Sequence, residues 1–135
     1  MSDLTNNSLT ELIDLIKKKE IKSEEVTNAY IDNIKKGKKL NSYITETLDL
    51  ALTKAKNFDK KQNFDGLLSG VPLAVKDLFC TDGVRTTAGS KMLENFIPSY
   101  ESTVTSNLWF EGAFLLGKLN CDEYAMGSSN ETSFF

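Results

Sequence analysis

The fold of this chain is decided by one short stretch, Gly70-Val71-Pro72-Leu73-Ala74-Val75-Lys76-Asp77. Its apolar residues form a nearly unbroken run, which is typical of a strand buried on both faces. Gly70 and Pro72 mark the start of the strand, where a missing backbone donor is tolerated. The run ends at Lys76, whose ammonium is costly to bury unless it has a role. A desolvated lysine can act as a general base, and the alternative is a lysine whose stem packs while its head reaches water.

Three amphipathic helices are predicted before this strand, in a helical segment over residues 1–62. The stretch Ser8-Leu9-Thr10-Glu11 is a capping box that opens the first helix. Ser23 is predicted to cap the second helix, because a hydroxyl at that position accepts a hydrogen bond from the first turn. The third helix is predicted from about Thr47 to Asp59, after a short β-prone stretch from Asn41 to Thr45.

Residues 63–135 are predicted to begin an α/β core. A long loop from Asp77 to about Tyr100 follows the first buried strand, and a helix capped by Ser102 leads into a second buried strand, Ala113 to Leu116. Strand, helix and strand in that order form a βαβ unit with parallel neighbouring strands. Hydroxyl-rich loops leave both strands at their carboxyl ends, so we expect the loops to converge where ligands bind in open α/β sheets. The alternative for the long loop is a solvated Ω-type segment.

Histidine is absent from all 135 residues. This excludes Ser-His-Asp and Cys-His catalysis within the chain, as well as any zinc site that contains histidine. The two cysteines, Cys80 and Cys121, lack the spacing of a metal site and are expected to be free thiols. A catalytic cysteine is disfavoured because no histidine is present to activate it.

Charge and hydropathy predict a cytoplasmic protein that does not enter a membrane. The stretch from Met1 to Asn7 is polar and has no apolar signal region, and no apolar run reaches the length of a membrane span. Lysine clusters at residues 17–19 and 35–39 suit helix C-termini. A net charge of −3 disfavours binding of nucleic acid by the chain alone.

Four stretches of the sequence resemble the amidase signature family. They are residues 70–77, Thr86-Thr87-Ala88-Gly89-Ser90-Lys91-Met92-Leu93-Glu94-Asn95-Phe96, Tyr100-Glu101-Ser102-Thr103-Val104, and Gly117-Lys118-Leu119-Asn120-Cys121-Asp122-Glu123-Tyr124-Ala125-Met126-Gly127-Ser128-Ser129. Residues 90–96 within the second stretch and residues 122–128 within the fourth are similar to the family of A subunits of the glutamyl-tRNA(Gln)/aspartyl-tRNA(Asn) amidotransferases. The resemblance covers the whole chain and is looser in the N-terminal helices. It implies an α/β fold in which these helices precede the first βαβ unit of a mixed, mostly parallel sheet flanked by helices. Residues 1–135 would then be the N-terminal part of a single, truncated amidase signature domain.

The resemblance also implies a mechanism that needs no histidine, a Ser–cis-Ser–Lys triad. In it, Lys76 would be the triad lysine and would accept a proton by way of the bridging serine, while Met126, Gly127 and Ser128 would line the substrate pocket. The A subunits of these enzymes hydrolyse glutamine to ammonia, and a partner subunit uses the ammonia to amidate misacylated Glu-tRNA(Gln) or Asp-tRNA(Asn) after activation with ATP and Mg. The resemblance therefore implies a heterotrimer with two other subunits, and no cofactor bound by this chain.

Both serines of the family's triad belong to a Gly/Ser-rich segment that is not found among these residues, and the resemblance implies that it follows Phe135. Ser128, Ser129 and Ser133 do not occupy the missing positions. We therefore expect the 135-residue chain alone to lack glutaminase activity and to fold marginally, because sheet edges would stay uncovered. Three alternatives remain: part of an amidase-signature hydrolase of another small amide, a non-catalytic truncated gene product, and a small α/β binding protein in which Lys76 pairs with a carboxylate.

Overall fold

The computed structural model describes residues 4–135, so the first three residues of the polar N-terminal stretch lie outside the described part of the chain. Its helices and strands follow in the order α1 (Leu9–Lys17), α2 (Ser23–Lys36), β1 (Tyr43–Glu46), α3 (Leu48–Lys61), β2 (Pro72–Lys76), α4 (Thr103–Phe110) and β3 (Phe114–Leu119). Single turns of 3-10 helix lie at Leu4–Asn6, Lys38–Leu40, Lys91–Leu93 and Glu123–Ala125. The predicted α/β class is confirmed.

The three strands form one mixed sheet in the order β1-β3-β2. Strands β2 and β3 are parallel neighbours, with Lys76 opposite Leu119, as the βαβ prediction requires. Strand β1 pairs antiparallel with β3 and comes from the N-terminal segment, which therefore contributes a strand to the sheet as well as helices. Strand β3 continues to Leu119, beyond the predicted end at Leu116, because Gly117 and Lys118 stay paired in the ladder.

The caps of the first two helices have different origins. Helix α1 begins with the predicted capping box, in which the Ser8 side chain and the Glu11 carboxylate each accept a hydrogen bond from the other residue's backbone N–H. The prediction that Ser23 caps α2 is wrong, because Ser23 is already the first helical residue. The carboxylate of Asp59, in α3, caps α2 instead by accepting hydrogen bonds of 2.9 Å from the amides of Ser23 and Glu24. Two helices distant in sequence are joined in this way.

Two apolar clusters hold the helices against the sheet. The first joins α2, α3 and β3 through Ile31, Ala51, Ala55, Phe114 and Leu116. The second joins α1 and α2 to the start of β2 through Leu12, Ile16, Val26 and Val71. At the start of α2, the buried Ser23 hydroxyl donates a hydrogen bond of 2.5 Å to the carbonyl of Gly70, which lies just before β2. None of the helices in residues 4–135 combines the length and apolar character needed to cross a bilayer.

The middle of the loop between β2 and α4 is packed into the molecule. Residues 86–90 are all buried, and the Ser90 side chain has no exposed surface. Backbone groups buried in this way need hydrogen-bond partners, and here the Thr86 amide donates to Phe96 O and the Ala88 amide donates to Asp77 O. The alternative of a solvated Ω-type loop is therefore wrong for residues 86–90, whereas most of residues 91–100 are exposed.

Candidate active site

Lys76 is the last residue of β2, and its side chain is exposed to solvent. Within residues 4–135 its ammonium makes no hydrogen bond and no ion pair. The described part of the chain therefore does not desolvate this ammonium, although the strand that carries it is buried at Pro72 and Val75. The predicted catalytic role of Lys76 stays a prediction that depends on what covers this end of the strand.

Met126, Gly127 and Ser128 lie in the loop that follows β3, and all three are exposed. The carboxylate of Asp122 organises this loop. It accepts hydrogen bonds from the amides of Ser129 at 3.2 Å and Asn130 at 3.0 Å. The loop therefore folds back over the Asp122 side chain. The role of Met126, Gly127 and Ser128 in substrate binding stays a prediction.

Thr132 completes the loop around the same carboxylate, because its amide and its hydroxyl donate to Asp122 Oδ1 at 3.2 and 2.9 Å. The hydrogen bond from the Asn130 amide is the main reason why the pKa of Asp122 lies below its ordinary value, and the donors of Thr132 and Ser129 act in the same direction. Partial burial opposes the shift. Asp122 is therefore ionised at neutral pH and serves as a fixed acceptor for the loop.

The loops after β2 and β3 converge, as the sequence predicts. The Ala88 amide donates to Asp77 O at 2.9 Å, and the Tyr124 amide donates to Ala88 O at 2.7 Å. These bonds connect the residue after Lys76 with the turn that precedes Met126. No hydrogen bond joins Lys76 itself to residues 126–128 in the described part of the chain, so the two predicted parts of the site are coupled through Ala88.

Side chains strengthen this junction. The buried Ser90 hydroxyl donates to Glu123 Oε1 at 2.6 Å and lies 3.2 Å from the Tyr124 hydroxyl oxygen. Gly89 has a positive φ of 69°, and a Cβ there would lie 2.6 Å from the Cys121 carbonyl oxygen. Only glycine allows the two backbones to approach so closely.

Three non-glycine residues at the junction have left-handed backbone conformations. Their φ angles are 51° at Ala88, 54° at Tyr124 and 59° at Ala125. Such conformations cost about 1 kcal/mol or more for each residue and persist only where surrounding contacts enforce them. Strain of this kind concentrates at functional sites, and three of the seven such residues in the described part of the chain lie at the contact between the two loops.

A buried ion pair lies behind Lys76 and was not predicted from the sequence. Lys118 Nζ is 3.5 Å from Asp77 Oδ1, and neither side chain has exposed surface. The ammonium also donates hydrogen bonds to Phe79 O at 2.6 Å and to Thr86 Oγ1 at 2.7 Å. The ammonium therefore makes two hydrogen bonds and one ion pair. Burial lowers the pKa of Lys118 from its ordinary value, and the negative charge of Asp77 opposes that shift.

The other oxygen of Asp77 is held by Thr87, whose amide and hydroxyl donate to Oδ2 at 2.8 and 2.6 Å. Oδ1 makes no hydrogen bond, and its one charged neighbour in the described residues is Lys118. The sequence patterns indicate Asp77 only as part of the Lys-Asp motif, and Lys118 lacks the glycine spacing of a phosphate loop. The available signal for Lys118 was its place at the end of an apolar run, the same feature that singles out Lys76.

Both cysteines are free thiols, as predicted. Cys121 is fully buried, and desolvation raises the pKa of its thiol, so it is a poor nucleophile at neutral pH. Cys80 is partly exposed, and its thiol donates a hydrogen bond of 3.3 Å to the Tyr100 hydroxyl oxygen. Within residues 4–135, no three Cys, Asp or Glu side chains are grouped closely enough to hold a metal ion.

The chain is similar to known proteins over most or all of its length. Residues 25–135 match the family model described as Amidase. The chain belongs to the amidase family. This amidase chain is 68% identical over its full length to the A subunit of the glutamyl-tRNA(Gln) amidotransferase of Pelagibacter ubique. It is 56% identical over 98% of its length to the same subunit in Caulobacter vibrioides.

The fold of the amidase chain is also that of solved relatives. It superposes over its whole length on the crystal structure of the A subunit of glutamyl-tRNA(Gln) amidotransferase from Thermotoga maritima, with a TM-score of 0.75 and 27% identity. An amidase family protein from Bacillus anthracis matches over 89% of the chain, with a TM-score of 0.80 and 31% identity. The chain spans 28% of the length of its Pelagibacter relative and 27% of the Thermotoga chain.

Proposed function

We propose that this chain forms the lysine-bearing part of the glutaminase site of a tRNA-dependent amidotransferase. The observation that carries the proposal is the 68% identity, over all 135 residues, to the A subunit of a glutamyl-tRNA(Gln) amidotransferase. The geometry supports it, because Lys76 is exposed at the carboxyl end of β2 and the loop of Met126, Gly127 and Ser128 is connected to that end through Ala88. Ligands bind at this end of an open α/β sheet.

In the proposed reaction Lys76 accepts a proton by way of a bridging serine, and the nucleophilic serine is activated in turn. Its Oγ attacks the carboxamide carbon of glutamine, the C–N bond breaks, and ammonia leaves with the transferred proton. Water then hydrolyses the acyl-enzyme ester to glutamate. Both serines come from polypeptide outside residues 1–135, so Lys76 is the triad member that this chain supplies.

Met126, Gly127 and Ser128 line the glutamine pocket in this proposal. Their backbone is held in place by the Asp122 carboxylate, which binds the following residues Ser129 and Asn130. A pocket wall held by a buried acceptor keeps one shape between turnovers, which favours correct orientation of the carboxamide.

The ammonia passes to a partner within a heterotrimer in the cytoplasm. That partner activates misacylated Glu-tRNA(Gln) or Asp-tRNA(Asn) with ATP and Mg, and the ammonia converts the activated carboxyl into the amide of Gln-tRNA(Gln) or Asn-tRNA(Asn). This chain binds neither ATP nor Mg in the proposal. Its own substrate is glutamine, and tRNA reaches it only through the complex.

The test compares Lys76→Ala with Lys56→Ala in the natural polypeptide that contains residues 1–135. Lys56 is half-exposed on α3, where it pairs with Glu24 at 3.6 Å. Glutamate release and trapping of an acyl-enzyme with a glutamine analogue are measured. We expect K76A to lose activity by about three orders of magnitude or more, as removal of a triad member does, and K56A to match the natural protein. An unimpaired K76A variant would overturn the proposal.

Two further outcomes identify the alternatives. Hydrolysis of simple amides but not of glutamine would indicate an amidase of another specificity. An intact mass of the native polypeptide near 15.0 kDa, the mass of this chain, would favour a non-catalytic product. Capture of the other amidotransferase subunits by such a product would indicate that it still docks on them.

A further inference from the structure

The buried pair of Asp77 and Lys118 holds the turn that follows Lys76. Lys76 O accepts a hydrogen bond from the Phe79 amide at 3.1 Å, which closes a tight turn directly after β2. The carbonyl of Phe79, at the far end of that turn, accepts the bond of 2.6 Å from Lys118 Nζ. The turn is therefore fixed at its last residue by an ammonium on the neighbouring strand.

The same pair fixes the middle of the long loop, at Thr86 and Thr87. Lys118 Nζ donates to Thr86 Oγ1 and Thr87 donates twice to Asp77 Oδ2, so adjacent residues of the loop are bonded to opposite members of the pair. The backbone of Asp77 is held as well, by Leu119 O at 2.9 Å and the Ala88 amide at 2.9 Å. The position of Lys76 thus depends on an ammonium one strand away.

Stability alone does not account for a pair of this kind. Burying two charges costs more than burying two apolar side chains, and replacing such a pair by apolar residues is often neutral or stabilising. What the charged ammonium adds is direction, because it is bonded to two acceptors and paired with one carboxylate, and so specifies three positions at once. These partners belong to the turn after Lys76, to the loop and to the residue next to Lys76.

We propose that Lys118, acting through Asp77 and the Phe79 carbonyl, is a positioning residue that sets the location of Lys76 for proton transfer. The inference rests on the proposed function, since it assigns Lys118 a part in the same reaction. A misplacement of about 1 Å can lower a rate by roughly two orders of magnitude. Loss of the Lys118 ammonium should therefore lower kcat, whereas binding of glutamine by residues elsewhere should change little.

The test uses three variants of the natural polypeptide: Lys118→Met, the double variant Asp77→Asn with Lys118→Met, and the surface control Lys56→Met. K118M leaves a buried carboxylate without its counter-charge, so the variant is expected to be unstable. The double variant removes both charges with side chains of similar shape and is expected to recover the melting temperature. If the double variant recovers its melting temperature, any remaining loss of kcat is due to misplacement of Lys76 and not to unfolding.

Two readouts decide the inference. The first is hydrogen exchange at the amides of Phe79 and Ala88, which we expect to be at least tenfold faster in the double variant than in K56M. The second is glutamine hydrolysis, where we expect the double variant to keep its KM within threefold and to lose kcat by tenfold or more. A double variant that regains natural kcat and natural exchange together with its melting temperature would overturn the inference.

The same measurements distinguish failure of the proposed function from failure of the inference about Lys118. If the natural polypeptide and K56M hydrolyse no glutamine, the proposed function is wrong, and the exchange rates at Phe79 and Ala88 still decide whether Lys118 holds the turn. Unchanged exchange in the double variant would then refute the positioning role on structural grounds. If glutamine is hydrolysed and K76A is inactive while the double variant has natural kcat, only the inference about Lys118 fails.

Discussion

Gly127 lies so close to Asp122 that a Cβ built on the glycine would be 2.4 Å from Cγ of the carboxylate. This distance is below any ordinary contact, so the glycine is required by the shape of the loop. The carboxylate cannot move aside without breaking its bonds to Ser129, Asn130 and Thr132. Glycine and aspartate therefore determine together how the predicted substrate loop is folded.

Replacing Gly127 with alanine should loosen this loop. Overpacking of this kind lowers stability by about 1–3 kcal/mol. When Gly127→Ala is introduced into the natural polypeptide, the amides of Ser129 and Asn130 should therefore exchange with solvent about tenfold faster than without the substitution. Gly37→Ala is the control, because the nearest atom to its added Cβ is Asn33 O at 3.1 Å, in a different part of the molecule. Natural exchange rates at both amides in G127A would contradict this account.

The same loop should respond to acid. The pKa of Asp122 is lowered from its ordinary 3.8 by bonds that only the folded loop provides. The carboxylate therefore stabilises the loop at pH values above 3.8, and that stabilisation is lost as the pH falls below 3.8 towards the folded-state pKa. Protection of the Asn130 amide should decrease over that acid range, and Asp122→Asn should abolish the dependence. An equal decrease in D122N would show that another group is responsible.

Removing the buried ammonium should destabilise the natural polypeptide strongly. Lys118→Met leaves Asp77 charged and buried, and breaking a buried pair in this way costs about 3–5 kcal/mol. Lys56→Met breaks an exposed pair and should cost no more than about 1 kcal/mol. Urea unfolding measures both. Similar midpoints for the two variants would mean that the Asp77 carboxylate reaches water or takes up a proton.

The cap that α3 provides to α2 can be tested in the same assay. Asp59→Ala leaves the amides of Ser23 and Glu24 without their acceptor, and loss of a helix cap costs about 0.5–2 kcal/mol. Asp32→Ala is the matched control, because Asp32 is an exposed residue of α2 outside the first turn. A loss of stability in D32A as large as in D59A would indicate a general charge effect.

The sequence was sufficient to predict those elements whose structure depends on residues nearby along the chain. The capping box at Ser8, the strand that ends at Lys76 and the cap at Ser102 follow from local patterns and are confirmed. Ser23 shows where local pattern fails. Its hydroxyl is used by the Gly70 carbonyl, and a carboxylate from another helix takes over the capping role.

The candidate site was predictable only in part for the same reason. The convergence of the two loops followed from the polarity of parallel strands, and it is confirmed by the bonds at Ala88. The sequence left open whether the Lys76 ammonium is desolvated or reaches water. Lys76 is exposed, and the lysine without exposed surface is Lys118. Both lysines end apolar runs, and only the three-dimensional position of Asp77 distinguishes them.

The position of β3 between β1 and β2 has a consequence for synthesis on the ribosome. In residues 4–135 neither outer strand has a partner other than β3, and β3 is the last of the three to leave the exit tunnel. Tyr43 must wait for Leu119, its partner in the ladder, so no hairpin can form early and nucleate the sheet. Pairing between distant segments is slow. Until β3 has emerged, β1 and β2 remain unpaired in the nascent chain. The three-stranded sheet therefore cannot form until β3 has emerged.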